Sequence, residues 1–173
     1  LNPLPTHMKT KTIQGIVVAH THWDRAWYLP FQSFRYRLVR MIDELIDLLE
    51  SDAAFRFFTL DGQTVLLEDY LEIKPEKETR LKSLIQSGRI LIGPWYTMPD
   101  LFLVSGEAVI RNLQIGRKWC QKFGNYMAVG YLPDPFGHFA QMPQILRGFE
   151  IDSYIFMRGL DTETKATHGA IFN

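Results

Sequence analysis

The sequence has little cysteine, no excess of either charge and no long apolar run. Cys120 is the single cysteine among 173 residues, so no disulfide can form within the chain, and a cytoplasmic protein is predicted. Basic and acidic residues number 19 each, and this neutral balance argues against a nucleic acid or an anionic membrane as partner. No stretch approaches the roughly 20 apolar residues of a membrane span.

What is present is typical of a globular α/β chain. Hydrophobic residues make up 46% and aromatic residues 13%, which is enough for a core. Residues 1–12 lack the apolar segment of a secretory signal and are interpreted as a flexible lead-in. The polar last segment has no clear closing element, so residues 13–173 are interpreted as part of a larger domain.

Short apolar runs alternate with amphipathic stretches, a pattern that predicts an α/β fold with a mostly parallel sheet. Residues 15–20 form a continuous β-branched run, expected for a strand buried on both faces. Ser105 and Gly124 are predicted to begin and end a long helix. Strands are predicted at 15–20, 55–60, 89–93, 126–132 and 153–157, and helices at 33–51, 63–73, 76–86, 107–123 and 141–148.

Three potential metal ligands directly follow the first predicted strand. His20, His22 and Asp24 recur at a spacing of two, and in an extended chain such side chains point the same way. Zinc accepts histidine nitrogen and carboxylate oxygen, although manganese or cobalt would fit the same groups. The alternative is a pair of loop histidines satisfied by hydrogen bonds. Trp27 follows at once, either as a ring that packs against the apolar face of a sugar or as ordinary core.

A second group of polar residues follows the fourth predicted strand. Asp134 lies between Pro133 and Pro135, which stiffen the backbone on both sides. A rigidly held carboxylate suits a nucleophile, whereas the alternative is a simple turn. His138 is interpreted as a fourth ligand, a supporting partner of the site or a residue at a helix entry, and a supporting role is favoured.

Four segments together resemble glycoside hydrolase family 38, the α-mannosidases, and its bacterial members most. They are A-H-T-H-W-D-R-A-W-Y at 19–28, G-P-W-Y at 93–96, S-G-E at 105–107 and D-P-F-G-H at 134–138, in the family's order. The resemblance runs from about residue 16 to 158. It implies that this chain is the amino-terminal part of a (β/α) barrel-like catalytic domain, truncated before that domain is complete.

The resemblance also implies the roles of individual residues. His22, Asp24 and Asp134 would be ligands of one zinc ion per site, and Asp134 would also be the catalytic nucleophile. Trp27 and Arg158 would contact the substrate, and His20 would support the site. The remaining zinc-binding histidine and the general acid would lie beyond residue 173, so the fragment alone is expected to be inactive.

The implied activity is that of a zinc-dependent retaining hydrolase of carbohydrates with terminal α-mannose, acting through a covalent Asp-linked glycosyl intermediate. Two other functions stay open. One is a metal-dependent carbohydrate deacetylase or amidase, which would use similar ligands. The other is an inactive piece that only binds sugar. Neither a nucleic acid nor a membrane is expected as partner, and homo-oligomerisation stays open.

Overall fold

Helices and short strands alternate along residues 14–163, the part of the chain that the computed structural model describes. The predicted lead-in at 1–12 lies outside the described residues. A 3₁₀ turn, Pro75–Lys77, precedes the third helix. The helices are α1 (Phe31–Ser51), α2 (Val65–Leu71), α3 (Glu78–Gln86), α4 (Gly106–Phe123) and α5 (Met142–Gly148). The strands are β1 (Phe58–Thr59), β2 (Ile90–Leu91), β3 (Gly130–Tyr131) and β4 (Tyr154–Ile155).

The ends of α4 are as predicted. The Ser105 hydroxyl accepts a hydrogen bond from the backbone N–H of Ala108 at 3.2 Å, which satisfies one of the free donors of the first turn. Gly124 ends the helix in the left-handed conformation, with φ at 86°. Cys120 lies on the buried face of this helix, and burial raises the pKa of its thiol to about 12. Cys120 is therefore a small, buried residue of this helix.

The strands are parallel, as predicted, but they are much shorter than the predicted runs. β1 pairs with β2, and β3 pairs with β4. Main-chain hydrogen bonds extend the order on both sides. Thr59 N–H donates to Ala19 O at 2.9 Å and Thr21 N–H donates to Thr59 O at 3.4 Å, while Met127 N–H donates to Ile92 O at 2.8 Å. The strand order thus follows the chain order. A closed barrel is not seen among the described residues and stays a prediction.

The expectation that residues 15–20 are buried on both faces is wrong for the described structure. Ile16 is 83% exposed and Val17 is 97% exposed. Only the end of this run pairs with a neighbour, through a parallel bridge between His20 and Thr59. Among residues 14–163 no second strand or helix layer covers the run, and a β-branched run is buried only where such layers are present.

Two apolar clusters form the core beneath the strand ends. The larger lies between α1, α2, α3, the β1–β2 pair and the last turn of α4, and the smaller lies around the earlier part of α4, α5 and the loop that carries Trp95. The buried side of α1 repeats every three or four residues, as its sequence pattern predicts. Because the strands are parallel, their carboxyl ends meet at one edge, where the predicted site residues follow.

No helix within residues 14–163 combines the length and the apolar character needed to cross a membrane.

Candidate active site

His22, Asp24 and Asp134 come together, although 110 residues separate the last two in the sequence. His22 Nε2 lies 3.9 Å from Asp24 Oδ1 and 3.6 Å from Asp134 Oδ2. One potential ligand atom of each residue lies within 4.8 Å of the other two. Their side chains stay 33%, 44% and 43% exposed and line a cleft of about 340 Å³. An ion and a substrate could therefore both reach them.

The orientation of His22 is set by Asp61, which follows β1. His22 Nδ1 lies 3.2 Å from Asp61 Oδ1, so an Nδ1–H donates to the carboxylate and Nε2 is left to face the cleft. This hydrogen bond is the main cause that raises the pKa of His22; burial opposes it, and the charges of Asp61, Asp24 and Asp134 add to it. An imidazole supported in this way is a typical metal ligand.

Asp61 itself is fully buried and fully engaged. Its Oδ2 accepts the backbone N–H of Trp23 at 2.6 Å and the side-chain amide of Gln63 at 2.7 Å. Asp61 and Gly62 both adopt left-handed backbone conformations, with φ at 50° and 66°. This turn brings the carboxylate back under the His22 loop. Such backbone conformations in a non-glycine residue concentrate at functional sites.

Gln63 joins three strand ends. Besides Asp61, its amide nitrogen donates to Trp23 O at 2.9 Å, and its carbonyl oxygen accepts the N–H of Met98 at 3.0 Å. The loops after the first extended segment, β1 and β2 are thereby fixed to one another. Sequence reasoning missed both Asp61 and Gln63. Their signal was a polar pair directly after the second predicted strand, the same placement that singled out His22 and Asp134.

Asp134 is held on the opposite side of the cleft by Arg158, which follows β4. The Arg158 guanidinium contacts Asp134 Oδ1, and its Nε donates to Asp134 O at 2.9 Å. The guanidinium carbon also lies 4.0 Å from the centre of the Phe136 ring. The backbone on both sides is confined by the buried Pro133 and Pro135. Asp134 therefore presents Oδ2 to the cleft, while the predicted contact of Arg158 with substrate stays a prediction.

The other predicted residues differ in their distance from this centre. Trp27 is 71% exposed and lines a second cleft, of about 430 Å³, that also includes His22 and Asp24. Trp27 is therefore not packed into the core that the described residues form. His20 is exposed, with Nδ1 at 3.2 Å from the carbonyl of Thr21, and it is not part of the ligand group. His138 lies behind Arg158, whose carbonyl oxygen is 2.8 Å from His138 Nε2.

The arrangement suits a divalent metal ion. One imidazole nitrogen and two carboxylate oxygens converge, and the imidazole is supported by a buried carboxylate. A catalytic zinc site takes three protein ligands of this kind and leaves positions for substrate or a further ligand. The same carboxylate, Asp134, is also accessible and rigidly oriented. The geometry can thus serve ion binding and nucleophilic attack together.

Comparison with known proteins identifies the class. The model of the glycosyl hydrolases family 38 N-terminal domain matches residues 12–169, and this chain belongs to that family. Its relatives carry the names α-mannosidase and, in one case and provisionally, mannosylglycerate hydrolase. The resemblance drawn from the four sequence segments is therefore confirmed.

Three relatives show how similar this chain is to individual members of the family. The chain is 48% identical over 145 residues to a Halalkalibacterium halodurans protein provisionally named a mannosylglycerate hydrolase, covering 83% of this chain and 16% of the relative. It is 32% identical to alpha-mannosidase 2C1 of Mus musculus, over 80% of this chain and 13% of that protein. The crystal structure of an alpha-mannosidase from Enterococcus faecalis superposes with a TM-score of 0.79 at 43% identity, covering 80% and 16% of the two chains. The chain thus spans about one sixth of the length of these relatives or less.

Proposed function

We propose that this chain supplies the nucleophile and three metal ligands of a zinc-dependent retaining α-mannosidase. The observation that carries the proposal is the convergence of His22, Asp24 and Asp134 in one open cleft, in a chain that belongs to family 38. The substrate would be a carbohydrate with a terminal α-mannose, in agreement with the names of the relatives. The reduced lone cysteine favours the cytoplasm as the place of action.

Zinc would be held by His22 Nε2 and by one carboxylate oxygen each of Asp24 and Asp134. When bound, it would supply a template for the sugar hydroxyls beside the anomeric carbon and would stabilise the charge that develops there. Asp61 would keep His22 in the tautomer with a free Nε2. A fourth ligand would come from outside the described residues, among which only these three ligand atoms converge.

Asp134 would act as the nucleophile that displaces the leaving group. Its carboxylate attacks the anomeric carbon as the bond to the leaving oxygen breaks, and a glycosyl ester forms. The leaving oxygen takes its proton from a general acid, to be sought outside the described residues, which then deprotonates the water that hydrolyses the ester with retention. Arg158 and the two flanking prolines restrict the orientation of Asp134. A restricted orientation is needed because the carboxylate oxygen must approach the anomeric carbon along a defined direction.

Trp27 would form one wall of the sugar subsite. Its ring is exposed at the side of the cleft that His22 and Asp24 share. A sugar ring has an apolar C–H face that can pack against an indole while the hydroxyls bind elsewhere. An exposed tryptophan beside the ligand group is expected for such a wall.

Elemental analysis of the full-length protein tests the proposal. We expect one zinc per chain in the wild type, loss of zinc in His22→Ala, and retention of zinc in His20→Ala, the matched histidine outside the ligand group. The wild type should also release mannose from an aryl α-mannoside. Zinc retained by His22→Ala, or release of acetate from acetylated sugars without mannoside cleavage, would contradict the proposal.

A further inference from the structure

We propose that His138 is a positioning residue for the nucleophile, which it orients through the main chain of Arg158. This inference deepens the proposed function and rests on it. The carrying observation is a continuous set of contacts from Tyr154 through His138 and Arg158 to Asp134, here called the His138 chain. It joins the loop after β3, which carries the nucleophile, to the loop after β4.

Both ring nitrogens of His138 are engaged, and their partners define the tautomer. The carbonyl oxygen of Arg158 can only accept, so His138 Nε2 carries the proton and donates to it at 2.8 Å. Nδ1 then accepts a hydrogen bond from the Tyr154 hydroxyl. Burial raises the pKa of Tyr154, which keeps that hydroxyl protonated and able to donate. No ring nitrogen is left for a metal ion, so the geometry disfavours His138 as the fourth ligand.

The ring is also clamped sterically. Its centre lies 5.4 Å from that of Tyr154 and 4.3 Å from that of Phe156. The main chain at Gly159, where φ is 92°, also lies close to the ring. A Cβ at this position would lie 2.9 Å from His138 Nε2 and 2.8 Å from Pro135 O. His138 therefore has one available position, and so has the peptide that its Nε2–H holds.

The position of that peptide matters because of what the Arg158 side chain does. The guanidinium contacts Asp134 Oδ1 and donates to Asp134 O, so it fixes the side chain and the backbone of the nucleophile at once. An arginine side chain has many rotamers, and only a fixed backbone makes its reach reproducible. If His138 were lost, the Arg158 peptide could shift, and a displacement of about 1 Å at a reacting group can cost about 10²-fold in rate.

The experiment is a double-mutant cycle in the full-length protein, with kcat, KM and zinc content measured on an aryl α-mannoside. We expect His138→Ala to lower kcat about 10- to 100-fold, to change KM little and to retain one zinc per chain. His138→Gln should recover part of the rate, because its amide N–H can still donate to the Arg158 carbonyl. In an Arg158→Ala background, His138→Ala should cost little more.

A second pair of variants tests the outer end of the His138 chain and avoids removing the ring. Tyr154→Phe deletes only the hydroxyl that sets the tautomer, and we expect kcat to fall several-fold with zinc retained. Tyr36→Phe is the matched control, since Tyr36 lies on the outside of α1 and is 66% exposed, and we expect it to leave kcat unchanged.

Three results would overturn the inference. Loss of zinc in His138→Ala would mean that His138 is a metal ligand. An equal loss of rate on His138→Ala with and without the Arg158 side chain would mean that His138 does not act through Arg158. Unchanged kcat in both His138→Ala and Tyr154→Phe would mean that His138 does not position the nucleophile. If one of these results is found but the wild type still cleaves mannosides and Asp134→Ala does not, only the inference about the His138 chain is wrong and the proposed function stands. A wild type without such activity would overturn the proposed function itself and the inference with it.

Discussion

The two sides of the candidate site are held in different ways. His22 is supported by Asp61, a carboxylate that is fully buried and bonded to two further donors. Asp134 is supported by Arg158, whose side chain stays 44% exposed, and Arg158 is held in turn through its main chain by His138. The first support is thus a buried charge in direct contact, and the second is a longer connection at the surface.

This difference corresponds to the work that each side would do. A metal ligand must keep one tautomer and one direction at all times, and a buried charged partner enforces both. A nucleophile must instead form and break a bond, which an exposed guanidinium accommodates while still limiting rotation. Asp134 would also bind zinc, but a change in its supports, Arg158 and His138, should mainly lower the rate, whereas a change in Asp61, the support of His22, should mainly lower metal affinity.

The largest effect is expected at the His22 side. Asp61→Asn removes the charge beneath His22 but tolerates the left-handed backbone at this position. We expect zinc affinity, measured by competition with a chelator, to fall about 10- to 100-fold. Asp152→Asn, an exposed aspartate paired with Arg147, is the matched control and should not change it. Equal zinc affinities in the wild type and Asp61→Asn would mean that Asp61 does not support a ligand.

An effect of similar free energy, on stability, is expected on the Asp134 side, where the main chain leaves no room for a Cβ. Gly159→Ala would bring a methyl group against Pro135 and His138 at a left-handed position, and we expect a loss of about 1–3 kcal/mol in unfolding free energy. Gly148→Ala, where nothing lies within 4 Å of the added Cβ, should change it by less than about 0.5 kcal/mol. Chemical denaturation of both variants makes the comparison. Similar stabilities would show that this approach can relax without cost.

The smallest effect is expected at Trp27, the proposed wall of the sugar subsite, which contacts neither Asp61 nor Arg158 in the interactions described above. Trp27→Ala should raise KM for an aryl α-mannoside about three- to tenfold, because one aromatic contact contributes about 0.5–1.5 kcal/mol. Phe57→Ala removes another exposed ring, 52% exposed and directly before β1, and should leave KM unchanged. A lower kcat with unchanged KM in Trp27→Ala would assign the ring a role in the chemistry instead.

The sequence predicts local features of this fold better than it predicts the site. Ser105 and Gly124 mark the ends of α4 because caps act within one helical turn. The exposed run at Ile16 and Val17 shows the limit, since burial depends on distant layers that a local pattern does not encode. Asp61 shows the same limit, because its placement after a predicted strand does not by itself reveal its partner. Its role exists only because β1 pairs beside the segment that leads to His22.

The most direct test of the central claim is to trap the glycosyl intermediate on the full-length protein. A slow fluorinated α-mannosyl fluoride should add one sugar mass to the wild type, and peptide mass spectrometry should find it on Asp134. Asp134→Ala should take up no label and lose turnover. A label on another carboxylate, or near-normal turnover by Asp134→Ala, would contradict the assignment of Asp134 as the nucleophile.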